Sequence, residues 1–473
     1  MSAQTCVTLS LGILGIAYFA IMSRLLSKED FGYFAVITAV TSILASLSEA
    51  GLGSAVIQNK KADSDYIQTA WTLSLILGIF FCLFLFGCAG WMSQIMLGSK
   101  VLETGYRIMS ISLVFYAING VGRAVIIKKL KFLQYGIYDI VAYTSSALVG
   151  IYMAYSGFGF YAVAVAMLLH QTLLGILVLL TNRKIIAIKI KRIYVQQILT
   201  FGGWLTGSVI VRNITDQLDK LITTKWIPVA DLGAYNRPSG LIFQITGNIN
   251  GIFDTILFPI LSGINDNQER IVKAYEKSVN LIILFSLILT ALLILGAEIV
   301  VSVFLGDQWL YLTDIIQIIS LSVVLLSYDR LADCFFRSIG IVKSYFAVRF
   351  WVMALTCISM FIGCHYGILG LAVGMVVSRA FSNIIKIVFL SQYIKLDRIK
   401  FYKTSLLSWG VPIGIFILCY VVKQHIAWGS LFSLSLFCLM IGVVILLYPK
   451  ILGEVFYENI YKVIGNKIKI LKR

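Results

Sequence analysis

The sequence predicts an all-α polytopic membrane protein. About fourteen transmembrane helices form two six-helix lobes as parallel repeats, with two extra C-terminal helices. Three observations lead there. The 473 residues are 59% hydrophobic and only 13% charged, with a mean hydropathy of +0.91, whereas a soluble domain carries about 25% charge and cannot hide so much apolar surface. The apolar runs are continuous over about 20 residues, long enough to cross a bilayer as helices, and do not alternate over about ten as barrel strands do. Two short phrases also recur at matching places in the two halves.

In chain order the spans are 5–23, 33–57, 67–91, 105–127, 136–155, 158–180, 196–224, 233–262, 279–305, 312–337, 344–364, 368–391, 404–422 and 428–448. The first apolar run, Thr5 to Met22, is followed by no small-residue cleavage site and reads as a retained span. After span six, Asn182–Tyr194 alternates basic and apolar residues, reads as an interfacial stretch on the inner leaflet, and marks the boundary between halves. Span seven carries Arg212, Asp216, Asp219 and Lys220 at three- and four-residue spacings, hence on one helical face. A charge at the bilayer centre costs about 2.5–3.5 kcal/mol, so that face turns to protein or water, and Arg212 and Lys220 each have Asp216 within reach. Span eight holds Pro238 and Pro259, which remove backbone hydrogen bonds and permit a hinge or a static kink. The tail Ile451–Arg473 sets lysines between apolar residues at helical spacing and also reads as interfacial. The domains are therefore 1–190, an N-terminal lobe of helices one to six; 191–395, a C-terminal lobe of helices seven to twelve; and 396–473, helices thirteen and fourteen with a cytoplasmic amphipathic tail.

Basic residues set the orientation. With both termini cytoplasmic, the inside loops and tail hold 24 lysines and arginines against 5 outside (Arg24, Lys28, Lys100, Lys225 and Lys423). This asymmetry absorbs most of the net charge of +17, which is a topology signal plus contact with anionic lipid and not a nucleic-acid footprint.

The repeats are visible in two slots. Asp30-Phe31-Gly32-Tyr33-Phe34, between spans one and two, matches Asp231-Leu232-Gly233-Ala234-Tyr235, between spans seven and eight. Gly157-Phe158-Gly159-Phe160-Tyr161-Ala162-Val163, between spans five and six, matches Gly367-Ile368-Leu369-Gly370-Leu371-Ala372-Val373, between spans eleven and twelve. Six spans per repeat preserve orientation, so the repeats are parallel, an architecture suited to two lobes rocking about a central cavity.

The chemistry of soluble enzymes is missing. Eight cysteines show no CxxC pairing, and His170, His365 and His425 are scattered, so neither a disulfide framework nor a metal site is expected. Each histidine reads as an interfacial or buried polar residue. No GxxxxGK[ST] loop occurs, so the chain does not itself hydrolyse ATP. A membrane enzyme using a lipid-linked donor would need a sizeable outside loop bearing catalytic groups, and none is present.

At this point the sequence resembles the Wzx-type O-antigen and exopolysaccharide flippases, the polysaccharide transporter branch of the superfamily that also holds multidrug extruders and the lipid II flippase. The phrases that carry the resemblance are LSKEDFGYFAVITAV and SEAGLGSAVIQ in spans one and two, FGGWLTGSVI and QLDKLI in span seven, DLGAYNRPSGL in span eight, LFPILSGINDNQERIVKAYEKSV, FLGDQW and RSIGIVKSYFAVRF. It departs from the family in lacking an amphipathic lead-in before span one. The resemblance implies two six-helix lobes around a V-shaped cavity. It implies transport of an undecaprenyl-diphosphate-linked oligosaccharide from inner to outer leaflet of the bacterial cytoplasmic membrane, with membrane lipids, a polysaccharide polymerase and a chain-length regulator as partners.

A diphosphate calls for arginine, whose planar fork makes bidentate phosphate contacts and keeps its charge. Arg212, near the middle of span seven, is the first candidate for substrate binding, followed by Arg237, Arg330, Arg349, Arg379 and Arg123. The plainer account is local pairing, Arg330 with Asp329 or Asp333 for example, or snorkelling to the interface for Arg123 and Arg337. Carboxylates inside spans can couple transport to H⁺ or Na⁺; the candidates are Asp219, Asp254 and Asp216, with Glu49 and Glu298 beside them. No other cofactor is expected. An extruder of organic cations, the competing function, wants carboxylates and aromatics where this chain favours arginine; the lipid II flippase is a near neighbour.

Overall fold

In a computed structural model, residues 2–49, 51–59, 62–183, 187–263, 268–394, 410, 413–421 and 430–447 are described. These residues are all-α, with no strand among them. Seventeen α-helices are introduced here in chain order: α1 (Ser2–Leu25), α2 (Lys28–Glu49), α3 (Leu52–Gln58), α4 (Ser64–Leu97), α5 (Glu103–Lys128), α6 (Phe132–Tyr155), α7 (Phe160–Thr181), α8 (Arg192–Thr215), α9 (Leu218–Thr223), α10 (Val229–Gly263), α11 (Gln268–Leu295), α12 (Ala297–Val300), α13 (Thr313–Ser320), α14 (Ser322–Ile339), α15 (Val342–Cys364), α16 (Gly367–Ile394) and α17 (Ser430–Leu447). Among the described residues nine helices are long and apolar enough to cross a membrane, and ten if the pair Asp307–Ser320 and Ser322–Ile339, bent by 40°, is one span.

The differences from the fourteen expected spans have local causes. Expected span seven is two helices, α8 and α9, broken after Thr215 where Asp216 caps α8 and Gln217 precedes α9. The break falls in the most polar stretch of that span, where side chains compete with the backbone for hydrogen bonds. Expected span eight is one uninterrupted helix, α10, through both Pro238 and Pro259; helices in this setting tolerate proline. Expected span nine ends at Gly296, followed by α12, a π-helical turn Val301–Leu305 and a 3₁₀ turn Asp307–Leu312. Expected span 404–422 and the tail Ile451–Arg473 lie largely or wholly outside the described residues.

Packing divides the chain into two compact units. Unit one contains residues 1–248, 304–306 and 341–382; unit two contains 249–303, 307–340 and 383–473. In unit two, α11 packs along α14 and α17, with Ala291, Leu295, Cys419, Phe437 and Ile441 forming a buried cluster.

In unit one the two echoed phrases meet. An added Cβ at Gly32 would lie 2.0 Å from the Val229 carbonyl oxygen, and one at Gly233 would lie 1.8 Å from the Lys28 carbonyl oxygen. The starts of α2 and α10 therefore cross backbone against backbone, and only glycine fits at the crossing. The second pair of slots closes the same loops. Asp30 accepts from Ser27 Oγ (2.8 Å) and from the first backbone N–H of α7, Phe160 N (2.9 Å). In the other half, Trp226, just before α10, packs its ring on Phe361 (5.6 Å) and His365 (5.1 Å), just before α16. In each repeat the loop ahead of the second helix is thus tied to the loop ahead of the sixth.

The described part of the linker between halves, 187–191, is not helical. It is strapped to the start of α4: Lys189 N and Lys191 N donate to Thr72 Oγ1 (3.2 Å) and Thr69 Oγ1 (3.4 Å), and both lysine side chains pair with Asp65. Asp63 caps α4 by accepting from Tyr66 N (2.8 Å) and also accepts from the Tyr194 hydroxyl (2.8 Å). The Tyr66 N–H, then the Tyr194 hydroxyl, hold the Asp63 carboxyl below the usual range. The hydrogen bond to Asp65 pushes the Lys191 ammonium up.

Two outcomes are expected. Gly32→Ala and Gly233→Ala should each lower the thermal midpoint of the purified protein by about 1–3 °C, because overpacking costs about 1–3 kcal/mol and here displaces backbone. Gly247→Ala, which meets nothing within 4 Å, should not. The strap has a pH window. A depressed carboxylate contributes stability above its unfolded pKa, lost as pH falls through the folded value; a raised lysine contributes below its unfolded pKa, lost as pH rises through the folded value. Hydrogen exchange of 187–191, corrected for intrinsic rate, should be slowest near neutrality and accelerate both below the carboxylate range and above about pH 10.4.

Candidate functional site

The break between α8 and α9 gathers charge in unit one. Asp216, at the end of α8, pairs with Arg379 of α16 (3.7 Å), whose guanidinium lies over the Phe243 ring of α10 (5.6 Å). Lys220 does not pair with Asp216; its Nζ donates to Gln217 Oε1 (2.9 Å). Asp219 is buried, accepts from Lys220 N (2.9 Å), and lies beside the buried Tyr235 hydroxyl. Arg212, the first candidate for substrate binding, with pairing to Asp216 as the alternative, makes no ion pair among the described residues, and its Nε is sealed from solvent without a hydrogen-bond partner. Three cations (Arg212, Lys220, Arg379) stand against two carboxylates (Asp216, Asp219), leaving one positive charge unmatched.

Two other candidate arginines are built into the packing. Arg237 of α10 is 6% exposed, clamped between the rings of Phe19 (3.7 Å) and Phe31 (3.5 Å), and donates to Phe19 O (2.9 Å) and Ser23 Oγ (2.5 Å). The ring faces stabilise the cation where water cannot. Arg349 of α15 is 3% exposed and donates to the Tyr345 hydroxyl (3.3 Å). Neither is presented to an open space. Arg123 of α5 is. It lies over Tyr135 (5.3 Å) and lines a cavity of about 430 Å³ together with Glu49, Tyr116, Asn119, Asp139, His170 and Gln171. The ends of α2 and α5, the start of α6 and the middle of α7 converge on it, with Gly51, at φ 66°, letting the chain turn into α3 beside it.

Unit two holds a cluster that sequence reasoning missed. Lys386 of α16 is fully buried, and its Nζ donates to Asp329 Oδ1 (2.6 Å), Asp333 Oδ1 (2.7 Å) and Asp329 O (3.3 Å). Three acceptors match the three donors of an ammonium. Arg330, for which pairing with these acids was the plainer account, joins neither and is half-buried; Asp329, one residue away, faces another side of the helix, and Asp333, three residues on, is taken by Lys386. The signal was available: Asp329 and Asp333 are four residues apart, and Ser378, Ser382 and Lys386 repeat that spacing in an apolar span. Of the coupling candidates, Asp216 and Asp219 belong to the α8–α9 cluster, whereas the side chain of Asp254 lies outside the described residues. Among the described residues no group of three or more His, Cys, Asp or Glu is placed to hold a metal ion.

Comparison with known proteins gives this geometry a context. The chain matches a family described as polysaccharide biosynthesis protein over residues 21–314, more than half its length. It belongs to that family. It is similar to the succinoglycan biosynthesis transport protein ExoT of Rhizobium meliloti, 24% identical over 70% of this chain and 66% of the relative. It is also similar to the lipopolysaccharide biosynthesis protein WzxC of Escherichia coli K12, 22% identical over 65% of this chain and 62% of the relative. The chain thus spans just under two thirds of the length of these relatives. Among solved structures, the lipid II flippase MurJ in an inward closed conformation has a TM-score of 0.75 at 13% identity, covering 97% of this chain and all of that one. An inward-facing MATE multidrug transporter has a TM-score of 0.64 at 17% identity, covering 85% and 99%. These likenesses show the fold.

The Lys386 cluster yields a stability test. Lys386→Met leaves two buried carboxylates without their cation and should destabilise the purified protein by about 3–5 kcal/mol in denaturant unfolding. Adding Asp329→Asn and Asp333→Asn should recover most of that loss, since the stranded charge is then gone.

Proposed function

We propose that the chain is a flippase. It carries an undecaprenyl-diphosphate-linked oligosaccharide from the inner to the outer leaflet of the bacterial cytoplasmic membrane by alternating access of its two repeat lobes, for surface polysaccharide biosynthesis, with both termini cytoplasmic. The family and the names of its relatives support the substrate class. The observation that carries the reading is the unmatched Arg212. A cation in a transmembrane half, with no acid taking its charge, is suited to an anion that arrives and leaves. The diphosphate of a lipid-linked sugar is such an anion, and a guanidinium binds it through charge-assisted hydrogen bonds. An extruder of organic cations fits less well, because the same cluster is net positive and repels its cargo.

Arg212→Ala should insert at the normal level and reduce export of surface polysaccharide by about 10- to 100-fold, the loss of a charged hydrogen bond worth about 1.5–3 kcal/mol. Undecaprenyl-diphosphate oligosaccharide should accumulate with its head inaccessible from outside, and Arg212→Lys should retain part of the activity. Undiminished export by Arg212→Ala at normal protein level would remove Arg212 from the site. An unchanged lipid pool together with sensitivity to cationic dyes in cells lacking the protein would favour the extruder.

A further inference from the structure

The cavity among α2, α5, α6 and α7 differs from the α8–α9 cluster in its charge. Its Arg123 has Glu49 close enough to interact electrostatically. Its Asp139 has Oδ1 2.9 Å from His170 Nε2. Two carboxylates and one guanidinium, with an imidazole that is neutral or cationic, give the described lining a net charge of −1 or zero. No positive charge is left over. A diphosphate or a sugar acid finds no free counter-charge here, which sets Arg123 apart from Arg212.

The lining offers hydrogen bonding set among aromatic rings instead. Asn119 is 6% exposed; its amide nitrogen donates to Gln171 Oε1 (2.9 Å) and Gln171 O (3.1 Å), while its Oδ1 is buried without a partner. An acceptor left open beside a polar cavity calls for a donor. A carboxylate accepts more than one hydrogen bond, so Asp139 has capacity beyond His170. Tyr116 and Tyr135 line the same cavity, and Tyr143 sets its ring edge against His170 (5.6 Å). The volume of about 430 Å³ is that of a small-molecule site. A pyranose matches this lining. Each of its hydroxyls both donates and accepts, and its apolar C–H face rests against aromatic surface.

Resting on the flippase reading, we propose that this cavity is a sugar subsite: it takes a neutral pyranose of the cargo head, a hexose or an N-acetylhexosamine, with Asn119, Asp139, His170 and Gln171 bonding its hydroxyls. The diphosphate is left to Arg212. Recognition of the sugar is thereby separate from recognition of the lipid diphosphate. A cargo without the sugar leaves the polar lining short of partners, the circumstance in which a hydrogen-bonding site discriminates most strongly. A sugar acid would bring its carboxylate among Glu49 and Asp139 and be repelled.

The test is equilibrium binding of three tritiated lipids to the purified full chain in detergent micelles. The lipids are undecaprenyl diphosphate, undecaprenyl-diphosphate N-acetylglucosamine and undecaprenyl-diphosphate glucuronic acid. Wild type should hold the N-acetylglucosamine lipid at least about tenfold tighter than undecaprenyl diphosphate, and the glucuronic acid lipid no tighter than undecaprenyl diphosphate. Gln171→Ala and Asp139→Asn should each bring the first ratio to within about threefold of unity. Arg212→Ala should weaken all three lipids by a similar factor and leave the ratio in place. Equal wild-type affinity for the first two lipids overturns the sugar subsite and leaves the Arg212 reading standing. A ratio that Gln171→Ala and Asp139→Asn both preserve does the same. A glucuronic acid lipid held as tightly as the N-acetylglucosamine lipid overturns the neutral class. Absence of binding of all three by wild type would overturn the flippase reading and the subsite with it.

Discussion

Unit one hangs on the backbone contact between Gly32 and Gly233. An added Cβ at either would lie within 2.0 Å of a carbonyl oxygen on the other helix start. At this crossing main chain meets main chain, with only the Val229 side chain beside it, so the angle and register of α2 and α10 are set by a close backbone approach. The neighbouring ties depend on it. Asp30, two residues before Gly32, reaches the first N–H of α7, and Trp226, seven before Gly233, packs on the end of α15. A sequence echo and a spatial contact are here the same thing: the repeated phrase is repeated because two copies of one helix start must touch.

Around that frame the chain solves one electrostatic problem several times, in different ways. A charge among apolar helices needs compensation in place, because no solvent provides it. Arg237 is held by two ring faces, a carbonyl and a hydroxyl. Lys386 has two carboxylates and a carbonyl. Arg379 has Asp216 and a ring. Each fixes one helix to another, although the Nε of Arg237 is, like that of Arg212, buried without a hydrogen-bond partner. Arg212 differs in having neither rings nor an acid set against it among the described residues.

The sequence made some of this legible. Apolar runs gave the helical class because their length is dictated by the bilayer, and the Asp-x-Gly echo located a contact because only glycine permits it. Which acid meets which base was less legible. Arg212 and Asp216 share a helical face, yet the helix ends at Asp216, turning that carboxylate toward Arg379, 163 residues later in the chain. Arg330 precedes Asp333 by three residues, yet Lys386 from another helix takes the acid. Spacing arguments rank neighbours along one helix and have no term for a partner from elsewhere. His170 was read as an interfacial or buried polar residue because its partner, Asp139, sits 31 positions away on the adjoining helix.

The fold alone would not choose between functions. A lipid flippase and a multidrug transporter both resemble this chain at TM-scores above 0.6 with identities below 20%, so the architecture does not by itself select a cargo. What separates them is the residual charge once structural pairs are set aside. In the α8–α9 cluster that residue is positive, whichever partner Asp219 takes, because three cations meet two acids. An organic cation would have to displace or tolerate that charge, whereas a diphosphate would complete it.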